Sequence, residues 1–336
     1  MKKKIFMLKK MYRDIGSGYP DIVMGQNTKT LNRYYINFKP KPKTLNRLIS
    51  SFDKNGVPLN SAYIDVKHPK LHYYPISIGQ YGLAIFHSYL DNKEQEDKSF
   101  LHSSGQAFLR IADWFKDTAI IDDKLGAYWL TDVDKPEFNV FKPWKSAFTQ
   151  SRALSILLRA WQMTEDQKYL HLAIKAMEPY EYSIDAGGVR SGMLNDIIYE
   201  EYIAVKPTRI LDGAIFSLFG LYDAVRAFDG VDNNAFEKSK RLFDDGINGL
   251  IHWLPKYDMG YWVYYNRCEI EGYPTNDPCT IGYLKLVTAQ LEVLYEITQI
   301  EEFNDYALKY KSYLKPQNII RMYIEKYKAL KKLNRL

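Results

Sequence analysis

Residues 147–180 read AFTQSRALSILLRAWQMTEDQKYLHLAIKAMEPY, and this stretch decides the fold. Ala153, Leu157, Ala160 and Trp161 recur at helical spacing, the period of one apolar helix face. The acidic turn TED at 164–166 then breaks the pattern, and a second helical period runs to about Tyr180. Two helices joined by so short a turn form a hairpin of antiparallel neighbours. The same design repeats along the chain. Helix pairs are expected at 77–89 with 98–117, 145–163 with 166–180, 211–228 with 233–254, and 282–298 with 302–314. Their turns are DNKEQED, TED, DGVDN and QIE, acidic or glycine-bearing. This is a loose internal repeat without a fixed period.

Two pairs are followed by aromatic segments opened by glycine, GAYWL at 126–130 and GYWVYY at 260–265. Their alternation reads as short strands or hairpins. Helical hairpins carrying such loops at one end indicate a mainly α architecture, an (α/α) barrel or toroid with a groove across one mouth. Residues 1–74 read as an irregular segment packing on the toroid, with short extended pieces at 34–38 and 63–66. The toroid itself is expected over 75–314, followed by a basic helix over 315–336. Arg321, Lys326, Lys328, Lys331, Lys332 and Arg335 would form a solvated face there, or a contact for an acidic partner.

Aromatic residues make up 15% of the chain, with 28 tyrosines. A tyrosine joins a flat apolar face to a polar tip, which suits stacking against sugar rings and equally suits a core. The 46 basic against 40 acidic side chains give a net charge of +6, a mild bias toward anionic partners. Nothing points to nucleic acid: there is no zinc-ligand spacing, no RNP-like segment and no base-reading helix. Cys268 and Cys279 are too few for a disulfide framework and read as free thiols. The apolar run at Ile5–Leu8 is cut by Lys9 and Lys10, too short for a signal-peptide core, and no stretch has the length of a membrane span. A cytoplasmic protein is the default expectation. The P-loop, dinucleotide, HExxH, CxxC and GxSxG motifs are absent, so no cofactor is expected for catalysis and no metal site is expected from the scattered histidines. The sequence leaves a structural metal and a homodimer open.

Five blocks carry a family resemblance. YYPISIGQYGLAIF at 73–86 resembles the Y-P-I-x-I-A-Q-Y-G-L signature that opens the catalytic domain of the D-glucuronyl C5-epimerases. The block 147–180 is similar to that family's A-M-A-Q-G-Q-A-I-S…R-A block. YEEYIAVKPTRILDGAIFSLFGLYD at 199–223 resembles Y-E-E-Y-P…V-L-N-G-F-x-x-S-L-x-G-L-Y-D. YDMGYWVYYNR at 257–267 is similar to Y-D-x-G…Y-D-L-R, and YLKLVTAQLEVL at 283–294 to Y-H-x-x-H-I-x-Q-L-x-L-L. Order and spacing hold over 73–314. Ile203 stands at the family's proline, Asp212 at its asparagine, and Leu284 and Val287 at its histidines. In the fourth block either Tyr265 or, with a one-residue gap, Tyr264 with Arg267 takes the Tyr-x-x-Arg positions.

The resemblance implies inversion of D-glucuronate at C5 within an acidic polysaccharide of heparosan type. That proton sits beside a carboxylate and is weakly acidic, so a cation must hold the developing enediolate. An arginine fork suits a carboxylate, which makes Arg267 the candidate. Inversion also needs a proton-transfer group on each face of the ring. By resemblance Glu201, Tyr202, Tyr283 and either Tyr264 or Tyr265 occupy the catalytic positions. Glu201 and Tyr202 are adjacent, so both can serve only if the backbone bends there. Tyr73, Tyr74, Gln80, Gln150, Arg152 and Arg190 are candidate substrate contacts. A uronate lyase and a non-catalytic glycan-binding toroid remain alternatives at this point, because fold alone does not set function.

Overall fold

Residues 2–38, 49–61, 70–95 and 98–335 are described in a computed structural model; the extended piece expected at 63–66 lies outside them. Four helical hairpins build the body: α2 (Pro75–Glu94) with α3 (Lys98–Thr118), α4 (Ala147–Thr164) with α5 (Gln167–Ala176), α6 (Leu211–Phe228) with α7 (Asn233–Tyr257), and α8 (Ile281–Thr298) with α9 (Glu301–Ser312). The helices α2, α4, α6 and α8 pack side by side as the inner layer, and α3, α5, α7 and α9 lie outside them. The result is an (α/α) toroid.

Burial separates the layers. Every residue of α4 from Ala147 to Ala160 is buried, the mark of a helix enclosed on all sides. On α7 only a stripe including Leu242, Gly246, Leu250 and Trp253 is buried, as an outer amphipathic helix requires. The turn between α4 and α5 is set by its residues. Glu165 adopts a left-handed conformation that ends α4, and the Asp166 carboxylate caps α5 by accepting from Lys168 N at 2.9 Å. Helices α4 and α6 meet backbone to backbone at Gly220, where a Cβ would lie 2.5 Å from Ser151 Cα.

The N-terminal segment differs from its irregular reading, because it begins with α1 (Lys2–Gly16). Leu8, Met11 and Ile15 recur every three or four residues, but the lysines between them obscure the period. The helix rests on α8 through polar contacts: Lys285 Nζ donates to the Asp14 carbonyl at 2.9 Å, and Lys10 Nζ to Thr280 Oγ1 at 3.2 Å. Further on, Ile22 and Ile36 form an isolated bridge, and Tyr34 and Tyr35 are buried in the ring. Asp223 anchors this segment. It pairs with Arg159 at 2.6 Å and accepts from the Tyr35 hydroxyl at 2.8 Å. Arg159 donates to the Asn32 carbonyl at 3.0 Å, and Arg226 to the carbonyls of Thr28 and Thr30 at 2.7 and 3.0 Å. A buried charge is retained only with such partners.

Short antiparallel pairs decorate the ring. β1 (Ile49–Phe52) pairs with β2 (Pro58–Asn60), β3 (Ile120–Asp122) with β4 (Gly126–Tyr128), and β5 (Arg190–Ser191) with β6 (Ile198–Tyr199). β4 is the strand expected in GAYWL. The second aromatic segment makes only the isolated bridges Asp258–Val263 and Tyr264–Pro278, so it is an ordered loop and not the expected hairpin. The last helix, α10 (Pro316–Lys332), is not simply a solvated basic face: Lys326 is buried and pairs with Asp277 at 2.6 Å, and the Arg321 guanidinium lies 3.7 Å above the Tyr261 ring. Lys328, Lys331 and Lys332 remain exposed. Cys268 and Cys279 are free thiols. Among the described residues no helix is long and apolar enough to cross a membrane.

Candidate active site

The segments that return from an outer helix to the next inner one collect at one end of the ring, by the N-termini of α2, α4, α6 and α8. Tyr74 caps α2, Asp212 stands in the first turn of α6, and Tyr283 in the first turn of α8. Free N–H groups and the positive end of each helix dipole favour anions there.

Glu200 and Glu201 follow β6 and have opposite fates. Glu200 is fully buried and saturated, accepting from Ser191 Oγ at 2.5 Å, Thr208 Oγ1 at 2.7 Å and Arg209 N at 2.8 Å. It is a structural carboxylate. The chain bends at Glu201 and Tyr202, so neighbours that would diverge on a strand converge, and the Tyr202 hydroxyl donates to the Glu201 carboxylate. Glu201 is packed against the α6 N-terminus at Gly213, beside Asp212. Burial pushes the Glu201 pKa up to about 7; the Tyr202 hydrogen bond and the Lys135 charge oppose the rise, and Glu200 adds to it. Burial, then the Glu201 charge, raises Asp212 well above the usual carboxylate range. Asp212 Oδ1 has no hydrogen-bond partner. The arrangement is a buried carboxyl pair that does not ionise fully at neutral pH.

Tyrosines complete the cluster. Tyr265 and Tyr283 meet edge to face with ring centroids 5.2 Å apart. Burial pushes the Tyr265 hydroxyl well above 10, and Tyr283, Glu201 and Asp212 add to it, so Tyr265 is a protonated donor. Tyr202 stacks on Phe138 at 5.0 Å and meets Trp144 edge-on at 5.2 Å. Lys135 Nζ lies 5.3 Å from the centre of the Tyr202 ring and 5.8 Å from that of Tyr74. A cavity of about 580 Å³ adjoins, with Tyr73, His72, Trp114 and Asp134 among its walls.

Glu201, Tyr202, Tyr265, Tyr283 and Tyr74 therefore gather in one place. Tyr264 and Arg267 pair with each other: the Arg267 guanidinium stacks on Tyr264 at 4.5 Å, and the Tyr264 hydroxyl donates to Asn276 Oδ1 at 3.2 Å. Tyr73 is exposed, bonded to Asp53 at 2.8 Å and packed beside Trp114. Gln80 is half-buried on α2.

Three expected substrate contacts are placed elsewhere. Gln150 is fully buried and donates to the Ala127 and Ala176 carbonyls, both at 2.9 Å, tying α4 to β4 and α5. Arg152 is fully buried among Tyr34, Phe38, Phe148 and Phe216, and donates to the Tyr34 hydroxyl at 2.7 Å. Arg190 faces Tyr199, alongside Glu181, Arg241 and Asp245. On an inner helix enclosed on all sides, the Gln150 amide turns to carbonyls and the Arg152 guanidinium to aromatic rings. Two residues of the cluster were not singled out from the sequence. Asp212 was visible only as a departure from a motif, and Lys135 is one of three lysines in the loop between β4 and α4, with no pattern to mark it.

The fold and this cluster define an (α/α) toroid whose carboxyl- and tyrosine-lined site lies at the N-termini of its inner helices. The D-glucuronyl C5-epimerase C-terminus family matches residues 123–312, more than half of the chain. The chain belongs to that family. It is 32% identical over 170 residues to the D-glucuronyl C5-epimerase of Caenorhabditis elegans, a match covering 48% of this chain and 27% of that protein. It is 27% identical over 206 residues to an uncharacterized protein of Methanocaldococcus jannaschii, covering 58% of this chain and 61% of that one. The chain thus matches less than two thirds of the length of either relative. Among solved structures, a family 76 glycoside hydrolase (mannosidase) from Bacteroides thetaiotaomicron aligns with a TM-score of 0.47 at 12% identity, over 84% of this chain and 79% of that one.

Proposed function

We propose that this protein inverts C5 of D-glucuronate units in an acidic polysaccharide, giving L-iduronate, by taking a proton from one face of the ring and returning one to the other. The observation that carries this reading is the meeting of Glu201 and Asp212 with Tyr265 and Tyr283 in a buried site, in a chain of this family. A carboxyl held near neutral pH can act as base in one direction and acid in the other, because its proton is lost and regained at little cost. Glu201 is that group. Tyr283 serves the opposite face, supported by the Tyr265 ring against it. Tyr202 donates to Glu201 and so holds its orientation.

The proton balance closes. Ionised Glu201 takes the C5 proton, the electron pair moves into the uronate carboxylate to form an enediolate, and a tyrosine hydroxyl delivers a proton to the other face of C5. Exchange with solvent resets both groups. No bond to the neighbouring sugar breaks. Tyr73, Tyr74 and Gln80 serve as groove wall, and the stacked pair Tyr264–Arg267 as its rim.

Incubation with heparosan in heavy water tests the reading. Deuterium should enter C5 of both glucuronate and newly formed iduronate, with no unsaturated product absorbing in the ultraviolet. Chain cleavage with such a product would mean β-elimination, and an unlabelled polymer would remove the reading.

A further inference from the structure

The enediolate needs a positive charge at the substrate carboxylate, within one carbon–carbon bond of C5. The cation must therefore stand beside the groups that handle the C5 proton. Arg267 is not placed to meet that demand: its guanidinium stacks on Tyr264 at 4.5 Å, and its charge bears on the buried Tyr257. Lys10 and Lys326 approach the rings of Tyr283 and Tyr265 at 5.8 and 5.3 Å. Each is ion-paired with a carboxylate outside the cluster, Lys10 with Asp14 at 2.5 Å and Lys326 with Asp277 at 2.6 Å. Lys135 instead faces Glu201, where its charge works against the effect of burial.

The surroundings of Lys135 are built. Its backbone N–H bonds to the Val140 carbonyl at 2.8 Å, closing a turn whose Phe138 is stacked between Tyr202 at 5.0 Å and Tyr273 at 5.4 Å. The residue is 5% exposed, and its amine lies by the faces of Tyr74 and Tyr202. Residues on either side of it line two separate cavities: Asp132, Val133 and Asp134 one of about 580 Å³, and Pro136, Glu137 and Asn139 one of about 410 Å³.

We propose that Lys135 is the group that binds the carboxylate of the uronate undergoing inversion and stabilises the enediolate. This rests on the reading of the site as a C5-epimerase, but its binding prediction does not require turnover. The test measures binding of a heparosan hexasaccharide and of its carboxyl-reduced counterpart to the wild type, Lys135→Gln and Lys135→Arg by calorimetry at low salt. The wild type should prefer the uronate form by about ten- to a hundredfold, as expected for a charge-assisted contact in a buried site. Lys135→Gln should lose that preference while still binding, and Lys135→Arg should keep most of it. Where exchange at C5 is followed, Lys135→Gln should fall by about a hundredfold or more in kcat, with partial recovery in Lys135→Arg. Lys135→Met, which retains the apolar stem between the rings, repeats the comparison should the glutamine variant not fold. A folded neutral variant that still prefers the uronate form, or a wild type that binds both forms equally or not at all, would overturn the assignment. Charge-dependent binding without exchange in the wild type would leave Lys135 as a carboxylate site and remove the epimerase reading alone.

Discussion

The Glu201 carboxylate occupies the space that a side chain at Gly213 would fill: a Cβ built there would overlap Glu201 Oε2 and stand 2.8 Å from Glu201 Cβ. The glycine thus seats the carboxylate on the first turn of α6 beside Asp212. Gly213→Ala should displace Glu201 and cost about 1–3 kcal/mol of stability, the usual range for overpacking. Turnover should drop further than stability suggests, by roughly a hundredfold for a displacement near 1 Å. Melting curves and exchange rates measured on the same preparation check this; normal turnover in Gly213→Ala would show that the seat is not needed.

The raised pKa of Glu201 has a signed consequence for stability. In the unfolded chain Glu201 titrates near 4.5, and in the folded protein near 7. Between these values the folded state holds a proton that the unfolded state has lost, so the stability this group supplies is present below about 4.5 and lost as pH rises through about 7. Glu201→Gln removes the titration. It should be more stable than the wild type at pH 8 by roughly 3 kcal/mol, because each pH unit between the two values is worth about 1.4 kcal/mol. The difference should shrink as the pH approaches 4.5. Denaturation at a series of pH values reads it directly, and a gap that does not change with pH would remove the buried carboxyl pair from the account.

Asp212 is the partner that stays protonated. Burial and the Glu201 charge hold it well above the usual carboxylate range, so Glu201 ionises beside a neutral Asp212. Asp212→Asn keeps that neutral shape, so the acid limb of the pH–rate profile should stay where the wild type has it. Activity at pH 8 should stay within roughly tenfold of wild type, because the amide keeps the shape of the carboxyl. A limb that moves down in Asp212→Asn would contradict this order of ionisation, since it would require a charged Asp212 beside Glu201 in the wild type.

Asp223 tests the architecture rather than the chemistry. It is fully buried and compensates Arg159 and Arg226 while anchoring Tyr35. Asp223→Ala leaves buried guanidinium charge uncompensated and should cost about 3–5 kcal/mol. Urea unfolding should show the loss, with the segment 28–37 becoming sensitive to protease at the same time. A loss under about 1 kcal/mol would contradict the role given to this network.

Local patterning carried most of the fold. The helices of the four hairpins could be read because their apolar positions repeat at helical spacing and their turns are short and acidic. α1 could not be read, because lysines interrupt its apolar period and what holds it to α8 is the pairing of Lys10 and Lys285 with groups near Asp14 and Thr280. The site divides in the same way. Glu201 and Tyr283 lie in motifs, whereas Lys135 and Asp212 matter through proximity, and proximity arises only when the loop after β4 folds over the α6 N-terminus. Gln150 and Arg152 misled for the opposite reason: polar residues on a helix suggest a groove, but α4 is enclosed and its polar groups meet carbonyls and rings.

The central claim is that Glu201 and Tyr283 act on opposite faces of C5. It is tested most directly by following solvent deuterium into C5 of separately prepared glucuronate and iduronate polymers with Glu201→Gln and Tyr283→Phe. Each variant removes one proton-transfer group and keeps its shape, so each should still label one epimer while losing the other, and the two should lose opposite epimers. Parallel loss of exchange from both epimers in both variants would contradict the two-face assignment.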